Sequence, residues 1–583
     1  MTTQTSQERR AGALQRFEDD PNVPVLIIGG GINGAGTFRD LALQGVDCLI
    51  VDKGDWCSGT SAAPSRLIHG GLKYLETGEF RLVAESARER NLLLRNAPHL
   101  VKPLPTVVPI HSVFGGIGPS VARFFGRKAK LADRGLLIVE LGMALYDWLG
   151  RRRRSMPLHR VSLRQATRRR FPAMAPTLAT ATYYDARVTQ AERLCYELVA
   201  DGEAAHPGAR SLNHVAVTGA ADGRVTLTDR LTGRSVTVAP KIVVNAAGPW
   251  IDRVNGSVGL NKRYIGGTKG SHLVVDDPDL VRALDGHMIY FGSADGRICL
   301  VYPFFGRALI GSTDIKADEP DTVTCTDAET DYMLAMVGEV FPGLDLSRDK
   351  IVYRYAGIRP LPAADVDDPG EISRDHSVGR DRLPGSAVPV LSLVGGKWTT
   401  FRAFAEQVTD EVLTELGLTR RISTEAVPIG GGRDFPLAPA DRIAWIARVA
   451  RQQTVDPVRA EVLLDRYGST AEVMLASRTS RSDLPLASLP DYSRAEVSAV
   501  TQHEQVVDLD DLLFRRLAIA VSGCLTDAVV SEVADIAAEA LEWSDAERDR
   551  QIGQLKRRAK QSHGLSLSTN VHTGLAARPD LKP

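Results

Sequence analysis

Residues 23–56 read VPVLIIGGGINGAGTFRDLALQGVDCLIVDKGDW, and their pattern indicates the class of fold. The apolar run Val23–Ile28, which ends in a run of glycines, predicts a short buried strand. The pattern then predicts a helix over Gly34–Gln44 and a second strand over Asp47–Asp52. Such a β-α-β unit begins a doubly wound parallel sheet, so the fold class expected here is α/β.

The glycines of this unit have the spacing G-x-G-x-x-G at Gly29, Gly31 and Gly34. Alone the motif is weak, but here it follows a predicted strand and opens a predicted helix. Gly29 permits a tight turn, Gly31 lets the backbone approach a pyrophosphate, and Gly34 allows close helix–strand packing. The helix N-terminus would face the phosphates, and Asp52 would accept hydrogen bonds from the ribose hydroxyls. The motif predicts a dinucleotide cofactor.

Two further strand-to-glycine turns favour FAD over NAD. They lie in VVNAAGPWID (243–252) and in LSLVGGKWTTFRAFAEQV (391–408), far along the chain from the first turn. Flavoproteins that bind extended FAD use several such turns, whereas a simple NAD dehydrogenase needs only the first. A helix N-terminus in the last turn would favour the negative charge of a reduced flavin. The residues expected to contact FAD in these two turns are Gly248, Gly396, Thr399 and Thr400.

Composition excludes several classes of protein. The chain has 583 residues with 43% hydrophobic and 24% charged, which indicates a globular protein of two or three domains. Its 71 Lys and Arg balance 71 Asp and Glu, so no nucleic-acid partner is expected. Six scattered cysteines with no C-x-x-C spacing argue against a metal site. No signal peptide and no uncharged apolar run of about 18 residues is present, so a cytoplasmic location is expected.

The domain organisation expected from pattern and composition is discontinuous. An FAD-binding, Rossmann-like domain would receive an inserted, mostly antiparallel α+β substrate domain, because residues 213–245 and 264–315 alternate apolar and polar side chains. An all-helical domain would follow. The expected segments are 21–110, 180–262 and 354–420 for FAD binding, 111–179 and 263–353 for substrate, 421–562 for the helical domain, and flexible tails at 1–20 and 563–583.

Eight motifs now identify a family resemblance. GGGINGAG, SAAPSRLIHGGLKYLETGEFRLV, NAAGPW, KGSH, GSTD, YAGIRPL, SRDH and GGKWTTFR occur in the order seen in FAD-dependent glycerol-3-phosphate dehydrogenases of the respiratory, aerobic type. The chain resembles that family over roughly residues 22–410, and more loosely beyond. The resemblance implies oxidation of sn-glycerol 3-phosphate to dihydroxyacetone phosphate and transfer of the electrons to membrane quinone.

Oxidation of a secondary alcohol by a flavin requires that a proton leave the hydroxyl and that a hydride reach flavin N5. His272 in KGSH is the candidate base, because imidazole titrates near neutrality; a structural histidine beneath the flavin is the alternative. The ammonium of Lys397 would stabilise negative charge on the reduced flavin or on the substrate oxygen. Arg359 in GIRPL would polarise the alcohol oxygen or bind the phosphate. The sequence leaves open which of the three removes the proton.

For the substrate's phosphate, Arg359 and Arg374 are the best cations, because a planar guanidinium matches phosphate oxygens. Pro360 favours extended geometry at Arg359, which indicates the end of a strand. Lys73 and Tyr74 are further substrate-binding candidates. The family usually has Arg-Tyr at this position, so Lys73 keeps the charge but loses the bidentate fork.

The stretch between residues 58 and 69 is rich in small hydroxyl residues and is expected to pass the pyrophosphate and the flavin ring. The residues expected to contact FAD there are Ser61, Ser65 and Leu67.

Residues 113–170 alternate apolar stretches with basic ones such as RKAK and RRRR. This pattern fits either a surface that lies on anionic lipid or a solvated charged helix with a buried apolar face. The resemblance favours peripheral attachment to the cytoplasmic face of the membrane, since quinone resides in the bilayer. The apolar residues expected to take part are Phe124, Phe125, Leu145, Trp148 and Leu149.

Three other functions stay open on the sequence: a glycerol-3-phosphate oxidase that uses oxygen, an amine or amino-acid oxidase on the same scaffold, and a non-enzymatic nucleotide-binding module. The amine oxidases have less need for the SRDH and GIRPL cations. The oligomeric state is also open, with a homodimer among the options.

Overall fold

The computed structural model describes residues 6–75, 79–113, 135–150, 155–292, 297–363, 372, 374–477 and 483–567. Its strands are β1 (Asn22–Ile28), β2 (Cys48–Val51), β3 (Leu67–Ile68), β4 (Val101–Ile110), β5 (Arg160–Leu163), β6 (Ala179–Val188), β7 (Ala209–Leu212), β8 (Val215–Ala221), β9 (Arg224–Asp229), β10 (Ser235–Asn245), β11 (Thr268–Val275), β12 (Met288–Gly292), β13 (Ile298–Phe304), β14 (Arg307–Gly311), β15 (Ile315–Lys316), β16 (Ile351–Arg359), β17 (His376–Arg382) and β18 (Pro389–Gly395).

The α-helices are α1 (Ser6–Asp19), α2 (Ile32–Leu43), α3 (Phe80–Asn96), α4 (Leu136–Leu149), α5 (Arg164–Arg170), α6 (Ala191–Ala205), α7 (Ile251–Ser257), α8 (Pro278–Leu284), α9 (Asp327–Val340), α10 (Phe401–Glu415), α11 (Pro439–Gln453), α12 (Pro457–Tyr467), α13 (Ala471–Ala476), α14 (Arg494–His503), α15 (Asp527–Leu541) and α16 (Asp545–His563). Helix α10 begins directly after Thr400, so the helix start predicted in the last glycine turn is confirmed.

The first sheet is the predicted doubly wound one. Its order is β17-β18-β10-β1-β2-β7, and the five strands from β18 to β7 are parallel. Helices α2, α6 and α10 cover one face, which explains why β1 and β2 are continuous apolar runs and not alternating ones. The antiparallel β8–β9 hairpin extends from β10 over the other face.

The prediction of a flexible tail over residues 1–20 is wrong, because most of this segment forms helix α1. Leu14 and Phe17, one turn apart, are buried against the outer face of the first sheet. Arg10 Nη2 donates to the buried carboxylate of Asp229 at 2.6 Å. Two apolar residues were too few to reveal an amphipathic helix in a polar stretch, although they suffice to dock one.

The second sheet is mostly antiparallel, with the order β15-β11-β14-β13-β12-β4-β6-β3, and β16 pairs with β11 while β5 pairs with β6. It contains β3, β4, β6 and β16, which lie wholly or largely within the segments assigned to FAD binding. The boundaries expected at residues 110, 180 and 354 therefore do not match the division between the sheets. The reason is pairing at long range: β4 pairs with β6 along its whole length.

The C-terminal helices α11–α16 form the predicted helical domain, but they do not enclose a separate core. Leu513 and Leu517 belong to the same buried cluster as Tyr302 of β13 and Tyr353 of β16. The helical domain is thus packed onto the second sheet. Its described end is Leu567, so most of the tail expected at 563–583 lies outside the described residues.

None of the helices in the described ranges is both long enough and apolar enough to cross a bilayer.

Candidate active site

Three glycine turns meet at one edge of the first sheet. Strands β1, β10 and β18 are parallel neighbours, with Ile28 opposite Asn245 and Asn245 opposite Ser392. Their carboxyl ends therefore lie side by side. In doubly wound sheets this edge is where nucleotide cofactors bind. The turns that carry Gly29, Gly248 and Gly396 all start at this edge of the first sheet, as the sequence predicted. We call it the glycine edge.

The first turn needs glycine at two of its motif positions. Gly29 has φ +110°, and a Cβ there would lie 2.6 Å from the carbonyl oxygen of Ala246. A Cβ on Gly34 would lie 1.9 Å from the carbonyl oxygen of Gly29, so helix α2 approaches the turn too closely for any side chain. The absence of side chains at Gly29 and Gly34 therefore lets the turn pack directly against helix α2 and against the turn after β10.

Asp52 follows β2 and stabilises the same turn. Its Oδ2 accepts the Gly30 N–H at 2.7 Å and its Oδ1 accepts the Gly54 N–H at 2.8 Å. Each oxygen retains a further lone pair. The carboxylate therefore shapes the turn and can still accept a ribose hydroxyl.

The segment 58–69 passes between the two sheets. Ser61 Oγ accepts the Ile32 N–H at the start of α2 at 3.0 Å. Thr60 Oγ1 donates to the Ile358 carbonyl of the second sheet at 2.6 Å. One segment therefore joins the turn at the first sheet to the strands that carry the predicted chemistry.

His272 lies on β11 and faces this segment. Its Nε2 is 2.7 Å from Ser65 Oγ, and its ring stacks on Tyr355 with a centroid distance of 4.9 Å. Burial, with a smaller contribution from Arg359 and Arg66, lowers the pKa of His272 to about 3. The imidazole is therefore neutral near pH 7, and its pKa lies well below the near-neutral value on which the sequence-based assignment of His272 as the base rested.

Arg359 and Arg374, the two predicted phosphate cations, meet on one carboxylate. Arg359 ends β16, as Pro360 indicated, and its Nη1 donates to Asp314 Oδ1 at 2.9 Å. Arg374 Nη2 donates to Asp314 Oδ2 at 3.0 Å. Burial raises the pKa of the Asp314 carboxyl, but the two guanidiniums outweigh it and hold that pKa below its usual range. Two planar cations thus lie beside one anion.

Lys397 follows the glycine pair of the last turn, before helix α10. Burial lowers the pKa of its ammonium to about 7; Glu79 opposes this shift and Arg374 adds to it. His69 belongs to the same group of charges: burial lowers its pKa to about 4, Asp185 opposes the shift, and Lys397 adds to it. The backbone N–H of His69 donates to Thr399 Oγ1 at 3.1 Å.

The remaining candidates lie within residues 67–75. Leu67 lies in β3, where it pairs with Arg187 of β6. Lys73 and Tyr74 lie in the 3-10 turn Leu72–Leu75, and their side chains are outside the described part of the chain.

Three buried polar atoms test whether a ligand belongs here. Asn33 Oδ1 at the start of α2, Thr400 Oγ1 before α10 and His272 Nδ1 have no hydrogen-bond partner among the described residues. Buried polar atoms are rarely left unpaired unless a bound molecule or water satisfies them. Together with the glycine edge, they fit the FAD predicted from the sequence.

Sequence reasoning did not single out Asp314, His69 or Asn33 as site residues. All three stand inside the motifs GSTD, LIHGG and GGGINGAG, which carry the family resemblance. Asp314 was hidden because its role depends on two arginines that only the tertiary fold brings to it.

Comparison with known proteins agrees with this geometry. Residues 24–388 match the FAD dependent oxidoreductase family, and residues 422–548 match the C-terminal domain of alpha-glycerophosphate oxidase. The glycerol-3-phosphate dehydrogenase of Synechocystis sp. is 34% identical over 91% of this chain and 94% of its own. The aerobic glycerol-3-phosphate dehydrogenase of Staphylococcus aureus is 29% identical over 93% of this chain and 95% of its own.

A solved structure shares the fold. The glycerol-3-phosphate dehydrogenase of Bacillus halodurans, complexed with FAD, superposes with a TM-score of 0.74 at 24% identity, covering 96% of this chain and 98% of that one. The glycine edge, the unpaired buried atoms and the near full-length relatives lead to one assignment. The chain belongs to the family of FAD-dependent glycerol-3-phosphate dehydrogenases.

Proposed function

We propose that this protein oxidises sn-glycerol 3-phosphate to dihydroxyacetone phosphate and passes the electrons to a membrane quinone. The observation that carries the proposal is the pair Arg359 and Arg374, two guanidiniums that share Asp314, with Arg359 acting on His272 and Arg374 acting on Lys397. Bound FAD supplies the hydride acceptor, its N5 atom. The Synechocystis and Staphylococcus relatives are named for the same substrate.

Cofactor contacts are proposed from all three glycine turns and from the segment between the sheets. The pyrophosphate would lie at the N-terminus of α2, where the helix dipole favours an anion. The residues proposed to contact FAD are Gly29, Gly31, Gly34, Asp52, Ser61, Ser65, Leu67, Gly248, Gly396, Thr399 and Thr400.

The phosphate of the substrate is assigned to Arg359 and Arg374. A guanidinium has five N–H donors in one plane. Arg374 uses Nη2 for Asp314, and its other N–H groups can bind phosphate oxygens. Arg359 already donates from Nη1 to Asp314 and from Nη2 to the Thr313 carbonyl, so it would contribute mainly its positive charge to the phosphate site. Lys73 and Tyr74 are kept as further substrate contacts on the strength of the motif alone.

His272 is proposed to accept the hydroxyl proton as the hydride leaves C2. Its neutral ring keeps Nδ1 available, since Nε2 is engaged by Ser65. Lys397 is proposed to act as a cation that stabilises the negative charge produced at the reaction centre. With a pKa of about 7 it exists in both forms near neutral pH, which makes its role measurable.

Peripheral membrane contact is proposed at helix α4. Leu141 and Trp148 point outwards and are 73% and 54% exposed, while Met143 and Tyr146 on the other side are buried. Helix α4 thus exposes large apolar side chains beside Glu140 while its opposite side packs on the protein, which fits a helix that lies at the membrane interface. The arginines of α5 are exposed nearby in sequence, as anionic lipid would require. Phe124 and Phe125, also expected in this region, lie outside the described residues.

An oxidase is the second candidate. The match of residues 422–548 to the C-terminal domain of alpha-glycerophosphate oxidase favours it. The two functions share the oxidation of substrate and differ only in what reoxidises the cofactor.

Steady-state turnover separates these functions. With sn-glycerol 3-phosphate we expect rapid reduction of a short-chain ubiquinone analogue and little hydrogen peroxide in air. Peroxide formed in step with substrate consumption would assign the oxidase instead. Turnover with glycine and none with glycerol 3-phosphate would overturn both in favour of an amino-acid oxidase.

The membrane contact is tested by flotation with vesicles. Leu141→Glu should reduce binding to vesicles that contain phosphatidylserine. Leu437→Glu changes a comparably exposed leucine (69%) in the helical domain and should not. Equal flotation of wild type and Leu141→Glu would refute the contact at α4.

A further inference from the structure

We propose that Asp314 is a positioning residue that fixes the spacing and direction of Arg359 and Arg374 for the substrate's phosphate. The inference rests on the proposed function, because it assumes that both arginines bind that phosphate. Asp314 itself would touch neither substrate nor cofactor.

The geometry of the three side chains supports this role. Each oxygen of the Asp314 carboxylate accepts from a different arginine, at 2.9 Å from Arg359 and 3.0 Å from Arg374. Because the two carboxylate oxygens are rigidly joined, the two guanidiniums are held at one separation. Within the described residues, Asp314 is the hydrogen-bond partner that the structure gives Arg374.

Arg359 is fixed from a second side as well. Its Nη2 donates to the Thr313 carbonyl at 3.1 Å. A Cβ on Gly270 would lie 2.1 Å from the same nitrogen, so the guanidinium lies flat against the backbone of β11. Arg359 therefore has a set direction, and Asp314 transfers that direction to Arg374.

The loop that carries Asp314 is anchored independently of the arginines. Thr313 Oγ1 accepts the Ser271 N–H at 3.0 Å and donates to Glu329 at 2.8 Å. The buried carboxylate of Glu329 also accepts from Ser271 Oγ at 2.8 Å and from Lys269 Nζ at 2.7 Å. The neighbour of Asp314 is thus held by β11 and α9, which fixes the place of the carboxylate between Arg359 and Arg374.

This anchor also explains the alternation in KGSH. Along β11 the side chains of Lys269 and Ser271 bond Glu329 on one face, while Gly270 and His272 face the site on the other. The motif therefore serves both the chemistry and the loop behind it.

Charge gives the competing expectation. A carboxylate beside two arginines lowers the positive charge that attracts phosphate, so Asp314 could act mainly as a competitor of the substrate. Removal of a competitor would tighten substrate binding. Removal of a positioning group leaves two like charges free to move apart, and binding weakens. The two roles predict opposite changes in KM.

The test is Asp314→Asn in the FAD-loaded enzyme, which keeps the shape but lets only one oxygen accept. We expect KM for sn-glycerol 3-phosphate to rise roughly 10- to 100-fold, the loss expected for one hydrogen bond between charged groups. kcat should stay within about threefold, because His272 and the cofactor edge are untouched. The inhibition constant of inorganic phosphate should rise in parallel. An unchanged or lower KM would overturn the proposal.

Two controls exclude a general structural effect. Asp331→Asn removes an exposed carboxylate that pairs with Arg348 at 2.6 Å on α9, and KM should not change. Arg374→Ala alone should raise KM. In the Arg374→Ala background, the further change Asp314→Asn should raise KM by a smaller factor than the same change does in the wild-type enzyme. Fully additive effects would show that Asp314 does not act through Arg374.

The outcome is separable from that of the proposed function. A wild-type enzyme that fails to oxidise sn-glycerol 3-phosphate refutes the function. An active wild type with an unaffected Asp314→Asn variant refutes only the positioning role.

Discussion

At the scale of single residues, the two titratable groups proposed for catalysis have very different proton affinities. Burial lowers the pKa of His272 to about 3 and that of Lys397 to about 7. Only Lys397 therefore changes charge between pH 5 and 9. A change of rate in that range that Lys397→Arg abolishes therefore belongs to Lys397 and not to His272.

The pH profile of kcat/KM tests the role of Lys397. A lowered pKa means that the ammonium is present below pH 7 and lost above it. If the cation is required, kcat/KM falls as the pH rises through about 7. Lys397→Arg should remove this fall, because arginine stays charged. A rate that instead increases through pH 7, and loses this dependence in Lys397→Met, would make the neutral amine the base.

His272→Ala should lower kcat by roughly 100-fold or more, the contribution typical of a positioned general base. FAD content should stay normal, because the three glycine turns do not depend on this side chain. Visible absorbance of the purified variant reports the cofactor and turnover reports the chemistry. Near-normal kcat would leave His272 as a structural residue stacked on Tyr355.

At the scale of secondary-structure elements, local sequence signals were sufficient to predict the three turns of the glycine edge. Each strand, glycine turn and helix start is encoded within about 30 residues, so the sequence predicted all three turns. Helix α1 and the sheet membership of β4 and β16 were not predictable in this way. Their positions depend on pairing and docking with distant parts of the chain, which periodicity does not report.

The contact between α2 and the first turn gives an element-level prediction. Gly34→Ala puts a Cβ 1.9 Å from the Gly29 carbonyl oxygen, so the turn must shift and FAD binding should be lost or strongly weakened. The control is Gly142→Ala. Gly142 lies in helix α4, where an added Cβ would have no atom within 4 Å, so we expect normal FAD content. The ratio of flavin to protein after purification measures both. Full flavin content in Gly34→Ala would contradict the account of the turn.

At the scale of the whole molecule, the helical domain is bound to the rest by core and charge together. The carboxylate of Asp55, just after the first β-α-β unit, accepts from Arg515 and Arg516 at 2.6 Å each. The sequence predicted a helical domain but not this attachment, because the partners are more than 450 positions apart. We expect the domain to unfold together with the second sheet.

Glu496 provides a test of stability within that domain. Burial raises the pKa of its carboxyl, but Arg466 and Arg459 outweigh it and lower the pKa to about 2. A carboxyl whose pKa is lower in the folded state than in the unfolded state stabilises the fold when the pH is above the unfolded pKa of about 4.5. That contribution is lost as the pH falls towards 2. Glu496→Gln should therefore cost about 3–5 kcal/mol at pH 7, as for a broken buried pair, and less near pH 3.

Thermal unfolding at the two pH values measures the cost of Glu496→Gln. Glu539→Gln, which breaks an exposed pair with Arg494, should cost at most about 1 kcal/mol. A cost that does not depend on pH would refute the link between the Glu496 carboxylate and acid stability.

The most direct test of the central claim is an anaerobic titration of the purified protein with sn-glycerol 3-phosphate, followed through the visible spectrum of the flavin. We predict that the oxidised flavin absorbance is bleached with one equivalent of substrate per flavin, and that glycerol, which lacks the phosphate, fails to bleach it at the same concentration. A flavin that dithionite reduces but sn-glycerol 3-phosphate leaves oxidised would contradict the account.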